Sequence, residues 1–213
     1  MIIKIRIFKV FFLLLNPKSL LIFLKYRTVL SLEHKSIIEG LNINNVIDVG
    51  ANNGQFSLLI NLLFPKIKIT AFEPIKECCD KYKKIFSSNN NVTCINVALG
   101  NKKKNLDLYV TQDTDSSSLM MPYVCSSIFR GANLNKKIKV NLETGYSAFA
   151  NLDLNDCLLK IDVQGYELEV LKGLASKIGL IKYIFIELSH IELYKNQPLF
   201  PEVLEQLYLY PLI

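Results

Sequence analysis

Residues 46–57 read VIDVGANNGQFS, and this segment is the strongest indication of the fold. The short, mostly apolar run over residues 46–49 is typical of a buried parallel strand, and it ends at Gly50. Glycines at positions 50 and 54 let the backbone turn tightly into a following helix and approach a ligand closely. The spacing is Gly-x-x-x-Gly, not the Gly-x-Gly-x-x-Gly of dinucleotide-binding turns, so the turn alone indicates either a ligand site or a purely structural turn.

Strand-like and helical patterns alternate downstream of this turn, which indicates a parallel sheet with right-handed crossovers. We predict parallel strands over residues 46–49, 66–72, 92–97, 158–163 and 181–186. We predict helices over residues 55–64, from Pro74 onward, over 166–175 and over 201–209. Two further segments, 106–110 and 138–142, alternate apolar and polar residues and could pair as an antiparallel extension. The pattern therefore predicts an α/β fold, a mostly parallel sheet with helices on both faces.

The N-terminal segment, residues 1–40, is predicted to be helical and separate from a domain over residues 41–213. Its apolar runs are shorter than the ~18 residues that a membrane-spanning helix needs. Lys4, Arg6 and Lys9 precede the apolar run over residues 11–15, as in a signal peptide, but no small-residue cleavage site follows it. Two interpretations stay open: the helices pack on the domain, or residues 1–25 make peripheral contact with the inner face of the membrane.

Net charge, cysteine content and hydrophobic content together indicate a folded cytoplasmic domain. The net charge is +6, but the lysines are dispersed, so we expect a solvated basic surface and no nucleic-acid partner. The five cysteines are odd in number and match no zinc or redox spacing, which favours reduced thiols in a cytoplasmic protein. Half of the residues are hydrophobic, which is typical of a folded domain and not of a disordered chain.

An acidic residue at the end of the second predicted strand adds to the evidence from the glycine turn. Glu73 follows Gly50 by 23 positions, where a carboxylate can accept hydrogen bonds from both ribose hydroxyls. The alternative is that Glu73 caps the helix that Pro74 opens. We favour ribose binding. Because Asp48 lies inside the first strand and the dinucleotide fingerprint is absent, a nicotinamide-dependent oxidoreductase is a weaker alternative.

Seven segments together resemble the FkbM-type methyltransferases. They are residues 46–57, 72–74 (FEP), 96–100 (NVALG), 116–119 (SSSL), 159–173 (LKIDVQGYELEVLKG), 186–188 (IEL) and 194–198. The long segment is specific, whereas the glycine turn is shared by many methyltransferases. The resemblance implies a Rossmann-like class I methyltransferase fold with S-adenosyl-L-methionine as methyl donor. It also implies O-methylation of a hydroxyl on a sugar, a glycan or a natural product.

The same resemblance assigns candidate cofactor-binding residues. The methionine moiety falls to the glycine turn, the ribose to Glu73, and the adenine to the segment after the third strand. The candidates are Asp48, Gly50, Ala51, Asn52, Gly54, Glu73, Asn96, Val97 and Ala98.

Candidate catalytic residues end the fourth and fifth predicted strands. Asp162 would lie beside the sulfonium, where a carboxylate positions the acceptor or takes its proton; the alternative is a charge at a helix N-terminus. Glu187 and His190 end the fifth strand, and His190 is a candidate general base or a surface histidine. These three residues lack the short ligand spacing of a metal site, so we predict no metal. Gln164 is a candidate contact, and Ser117 lies in a loop that could reach the pocket.

The C-terminal end departs from the family pattern. Family members continue with a final pair of antiparallel strands, whereas this sequence stops at Ile213, soon after the predicted helix over 201–209. We therefore expect those strands to be missing and the strand over 181–186 to be an unpaired, apolar edge that favours association with other chains. A truncated relative that binds cofactor without catalysis, or that only contacts membranes, is the alternative to an active enzyme.

Overall fold

The computed structural model describes residues 15–123 and 133–210, together with residues 9 and 12. The strands of these ranges are β1 (Asn45–Val49), β2 (Lys68–Phe72), β3 (Val92–Ile95), β4 (Ala98–Gly100), β5 (Lys104–Thr111), β6 (Leu134–Thr144), β7 (Cys157–Ile161) and β8 (Tyr183–Ile186). The helices are α1 (Pro17–Tyr26), α2 (Lys35–Ile38), α3 (Gln55–Leu63), α4 (Lys76–Ile85), α5 (Gly145–Ala148), α6 (Glu167–Leu174) and α7 (Phe200–Tyr208). Within the predicted helical segment, residues 1–14 lie outside the described residues, apart from residues 9 and 12.

The central sheet has the strand order β3-β2-β1-β7-β8, and every pairing in it is parallel. Val49 is in register with Phe72 of β2 and with Ile161 of β7, so these strands end together at one edge. Each residue of β1 and β7 is buried, as expected for strands covered by helices on both faces. The predicted α/β architecture is confirmed.

A smaller sheet, ordered β4-β6-β5, carries the predicted antiparallel extension. Leu106 pairs with Val140 and Leu108 with Ile138, which confirms that pairing. The strand predicted over 92–97 is wrong at its end. The chain turns at Asn96, whose side-chain amide donates hydrogen bonds to the carbonyls after β2, and the following residues leave the central sheet as β4.

Two apolar layers cover the faces of the central sheet. The first contains Phe56 and Leu59 of α3 together with Leu30, Leu32 and Ile38, so residues 30–38 pack directly on the sheet. The second is formed largely by α6 and α7 against the opposite face. The division of the chain at residue 40 stays a prediction. No helix of the described ranges is long and apolar enough to cross a membrane.

β8 is the last strand of the central sheet in the part of the chain that the structure describes. Its apolar side chains are nevertheless half-buried. Tyr183 and Phe185 pack against the first apolar layer, and Ile184 and Ile186 pack against the second. Among the described residues β8 pairs only with β7, so the expected unpaired edge is present, but the N-terminal segment and the helices cover both faces of the strand.

Candidate active site

A cavity of about 520 Å³ opens at the carboxyl ends of the parallel strands. The loops that follow β1, β2, β7 and β8 contribute Gly50, Glu73, Asp162 and Glu187 to its wall. Ligands bind at this edge of open α/β sheets because the loops there converge. The strand order places the four residues in the sequence Glu73, Gly50, Asp162, Glu187 across the sheet.

The glycine turn brings the loops after β1 and β7 into direct contact. Gly50 has φ of 75°, and a Cβ atom there would lie 1.9 Å from the carbonyl oxygen of Asp162. Any side chain at this position would separate the two loops. Gly54 has φ of 87° and caps the N-terminus of α3, whose unpaired N–H groups and positive dipole end favour a negatively charged ligand group.

Glu73 is buried in the cavity wall, with 4% of its surface exposed. One carboxylate oxygen accepts the Asn52 N–H at 2.8 Å, and the other accepts the Ile75 N–H at 2.7 Å. Burial raises the pKa of Glu73 to about 7, although the two backbone hydrogen bonds oppose this shift. The carboxylate thus holds the residue that caps α4, and each oxygen keeps a further lone pair for a ligand hydroxyl.

The predicted cofactor residues separate into two groups. Gly50, Ala51, Asn52, Glu73, Val97 and Ala98 line the cavity. Asp48, Gly54 and Asn96 lie behind this wall: Gly54 packs close to Tyr82 and Phe86, and the Asn96 amide holds the Glu73 and Pro74 carbonyls at 2.8 and 2.9 Å. The second group supports the backbone of the first, and its direct contact with a cofactor stays a prediction.

Lys160, which the sequence analysis did not single out, links both halves of the site. Its ammonium lies 3.2 Å from Asp48 Oδ1 and 3.5 Å from Asp162 Oδ2, and it donates a hydrogen bond to the Gly50 carbonyl at 2.8 Å. Burial lowers the pKa of Lys160, but the two carboxylates outweigh it and the net direction is upward, so the lysine is charged. A lysine within an otherwise apolar, buried strand was the signal for this pairing, because buried lysines are rare unless paired.

Asp48 is directed toward the interior rather than toward the cavity. Its side chain is fully buried, and Oδ2 accepts a 2.7 Å hydrogen bond from Ser57, whose hydroxyl in turn accepts one from Tyr82. Oδ1 accepts no hydrogen bond from the described residues, so the ion pair with Lys160 is what stabilises its charge.

Asp162 lines the cavity and is held from two sides. Besides its contact with Lys160, its Oδ1 accepts a 2.7 Å hydrogen bond from the Gln164 amide. The amide oxygen of Gln164 accepts a hydrogen bond from the Tyr194 hydroxyl at 2.9 Å. Buried Glu167 accepts the N–H groups of residues 163 and 165, both at 3.1 Å, so its role is to hold this loop. The orientation of Asp162 is therefore set by the protein and not by solvent.

A polar loop over residues 113–119 closes another part of the wall. Ser118 is buried, and its hydroxyl donates to the Gln164 carbonyl at 2.5 Å. Thr114 donates to the Asn52 side chain at 3.1 Å. Ser117 lines the cavity and accepts the Thr111 N–H. These contacts tie the loop to the turns after β1 and β7, so the predicted approach of Ser117 to the pocket is confirmed.

Of the two catalytic candidates after β8, Glu187 and His190, only Glu187 lies in the cavity wall. Glu187 lines the cavity, and the nearby charge of Asp162, together with burial, raises its pKa. His190 is exposed and lies outside the cavity wall, with its ring 5.0 Å from that of Phe200. Across the residues that the structure describes, no His, Cys, Asp and Glu side chains group in threes that could hold a metal ion.

The other histidine of the chain, His34, does line the cavity. It ends a 3-10 turn in the N-terminal segment, and its ring meets that of Phe185 edge-on at 4.9 Å and lies 6.3 Å from that of Phe56. Burial is the largest influence on His34 and lowers its pKa. The neighbouring Glu33 forms a 2.7 Å ion pair with Lys9. The N-terminal segment carries no motif of its own, so nothing in the sequence pointed to this contribution.

Comparison with curated proteins gives two methyltransferases among the relatives of this chain. Methyltransferase sdnD of Sordaria araneosa is 28% identical over 154 residues, covering 60% of this chain and 59% of the relative. The 2-O-methyltransferase NoeI of Sinorhizobium fredii is 24% identical over 161 residues, covering 71% and 66%. The chain thus spans about three fifths to two thirds of the length of these relatives.

A solved structure and a family model are also similar to this chain. A Clostridium thermocellum protein, provisionally assigned as an rRNA methylase, superimposes with a TM-score of 0.50 at 11% identity, covering 83% of this chain and 77% of the other. That similarity supports the Rossmann-like fold alone. The model of the methyltransferase FkbM domain matches residues 48–210, which is most of the chain. The chain belongs to the FkbM methyltransferase family.

Proposed function

We propose that this domain transfers a methyl group from S-adenosyl-L-methionine to a hydroxyl of a sugar, a glycan or a natural product. One observation carries the proposal: Gly50, Glu73 and Asp162 meet in a single cavity at the ends of three adjacent strands. Family membership supports methyl transfer, and the name of one relative, a 2-O-methyltransferase, supports oxygen as the accepting atom.

The cavity fits the proposed cofactor in size and charge. Its volume of about 520 Å³ lies within the range of small-molecule sites. Its described wall includes the acidic side chains of Glu73, Asp115, Asp162 and Glu187, and Lys160 is already paired. An acidic wall complements a sulfonium cation, and when bound the cofactor supplies an electrophilic methyl group.

In this proposal the cofactor binds at the ends of three neighbouring strands, β1, β2 and β3. The backbone from Gly50 to Asn52 would hold the methionine moiety, Glu73 the ribose hydroxyls, and Val97 with Ala98 the adenine. Asp162 would orient the acceptor hydroxyl, because Gln164 and Lys160 fix the direction of its carboxylate. A carboxylate fixed in this way loses little freedom when it engages a substrate.

Two measurements test the proposal. Calorimetry with S-adenosylhomocysteine and with NAD should show binding of the former alone, and NAD binding alone would favour an oxidoreductase. Transfer of labelled methyl groups to glycan and lipid fractions of cell extracts should yield a product that is stable to base, as an ether is. Cofactor binding without labelling of any fraction would favour a non-catalytic relative.

We also propose peripheral contact with an anionic membrane surface, on the cytoplasmic side, through α1. The outward stripe of this helix consists of Lys18, Leu21, Leu24 and Lys25, and the two leucines are 66% and 59% exposed. Residues 1–32 carry six Lys or Arg and no Asp or Glu. Leucines flanked by lysines on an exposed helix face favour the boundary between headgroups and acyl chains.

A further inference from the structure

We propose that His34 of the N-terminal segment accepts the proton of the acceptor hydroxyl, so that the acceptor subsite lies between this segment and the end of β8. The inference rests on the proposed function and adds the proton acceptor and the place of the acceptor to it. His190, predicted from the sequence for this role, lies outside the cavity wall.

His34 lies toward the β8 side of the sheet, opposite to the proposed cofactor residues. The strand order β2-β1-β7-β8 puts the proposed cofactor residues Glu73 and Gly50 on one side of Asp162. His34 packs on Phe185 of β8, on the opposite side of Asp162. A ligand held at Glu73 and Gly50 therefore leaves the part of the cavity under His34 for the acceptor.

The surroundings of that part of the cavity suit a sugar hydroxyl. Phe56 and Phe185 line it, with ring centroids 5.8 Å apart and nearly parallel planes. Together they offer an apolar surface to the C–H face of a sugar ring. Glu33 lines the same wall and provides a carboxylate for neighbouring hydroxyls. The combination of an apolar surface and a few polar groups is what orients a small ligand.

Burial favours the neutral form of the His34 imidazole. Burial lowers the pKa of His34 most; Lys160 and Lys9 also lower it, while Glu33 and Asp162 oppose them. Glu187 at the end of β8 adds a further acidic group to this cavity. A neutral imidazole has a lone pair that can accept a proton near neutral pH. Asp162, already engaged by Gln164 and Lys160, would stabilise the imidazolium that forms.

The proposed transfer breaks two bonds and forms two. The acceptor O–H bond breaks, its proton forms an N–H bond on the imidazole, and the electron pair of the oxygen forms the new O–CH₃ bond. The S–CH₃ bond of the donor breaks with its electron pair left on sulfur. The imidazolium of His34 then releases its proton to solvent.

The chain contains two histidines, so His34→Gln and His190→Gln form a matched pair of variants. Calorimetry with S-adenosylhomocysteine measures cofactor binding in each. NMR titration of the imidazole signals identifies His34 as the signal lost in the His34 variant. Transfer of labelled methyl groups to the extract fractions, followed from pH 5.5 to 8.5, gives the pH profile.

We expect His34→Gln to retain S-adenosylhomocysteine affinity and to slow methyl transfer by about 10²- to 10⁴-fold. The His34 signal should titrate below the usual histidine range. With enough S-adenosyl-L-methionine to keep the protein saturated at every pH, the acid limb of the wild-type pH profile should follow that titration and disappear in His34→Gln. His190→Gln should retain both transfer and the acid limb.

Undiminished transfer by His34→Gln, or loss of transfer in His190→Gln alone, would overturn the assignment. So would a parallel loss of cofactor affinity, because it would make His34 a structural residue. Wild-type protein that does not bind S-adenosylhomocysteine, or that binds it and labels nothing, would overturn the proposed function itself.

Discussion

Replacing Lys160 by Met removes the cation that stabilises two carboxylates, and we expect this change to lower the free energy of unfolding. Asp48 would be left fully buried, with Oδ1 accepting no hydrogen bond from the described residues. Breaking a buried ion pair by removing one partner costs about 3–5 kcal/mol, because an uncompensated charge stays in the interior. Met keeps most of the length of the lysine stem, so little of the cost arises from lost packing. That cost is a large part of the ~5–15 kcal/mol stability of a typical domain.

Urea unfolding followed by circular dichroism measures this change in the free energy of unfolding. Lys172→Met is the matched control, because the Lys172–Glu169 pair is at the surface and is expected to contribute about 0–1 kcal/mol. A double variant, Lys160→Met with Asp48→Asn, should be more stable than the single variant at Lys160, since it leaves no buried charge without a partner.

Two results would contradict this prediction. A loss of stability as small as that of the surface control would mean that Lys160 does not stabilise the charge of Asp48. A double variant as unstable as the single one would mean that the cost lies in packing or in the hydrogen bond to the Gly50 carbonyl.

Other predictions concern binding, catalysis and membranes. Burial raises the pKa of Glu73 to about 7, so its ligand-binding carboxylate form is depleted as the pH falls below that value. S-adenosylhomocysteine affinity, measured by calorimetry, should fall between about pH 8 and about pH 6. Glu73→Ala should weaken binding by about 2–4 kcal/mol and abolish this pH dependence, whereas exposed Glu77→Ala should do neither; a flat wild-type profile would contradict the assignment. Asp162→Asn should slow methyl transfer far more than it weakens cofactor binding, and equal losses in labelled transfer and calorimetry would make Asp162 a cofactor or folding residue. Replacing both Leu21 and Leu24 by Ser should reduce sedimentation of the full chain with phosphatidylglycerol vesicles; unchanged sedimentation would exclude α1 as the contact.

Much of the fold was predictable because its signals are local. The apolar run before Gly50 is the pattern of a strand buried on both faces. The alternation of apolar and polar residues over 106–110 and 138–142 is the pattern of a strand with one exposed face. Strand ends were less predictable. The end of β3 depends on the Asn96 amide, which reaches the carbonyls of residues 22 and 23 positions earlier, and no local pattern reports such a contact.

At the site, the order of strands and loops along the sequence was enough to predict that Gly50, Glu73, Asp162 and Glu187 lie at one edge of the sheet. The other groups of the site became visible only in the folded chain. Lys160 contacts a carbonyl 110 positions away, and His34 reaches the cavity because the N-terminal segment packs on β8. The physical reason is that ion pairing and burial depend on distances in space between segments far apart in the chain. Periodicity and motif spacing describe only neighbours along it.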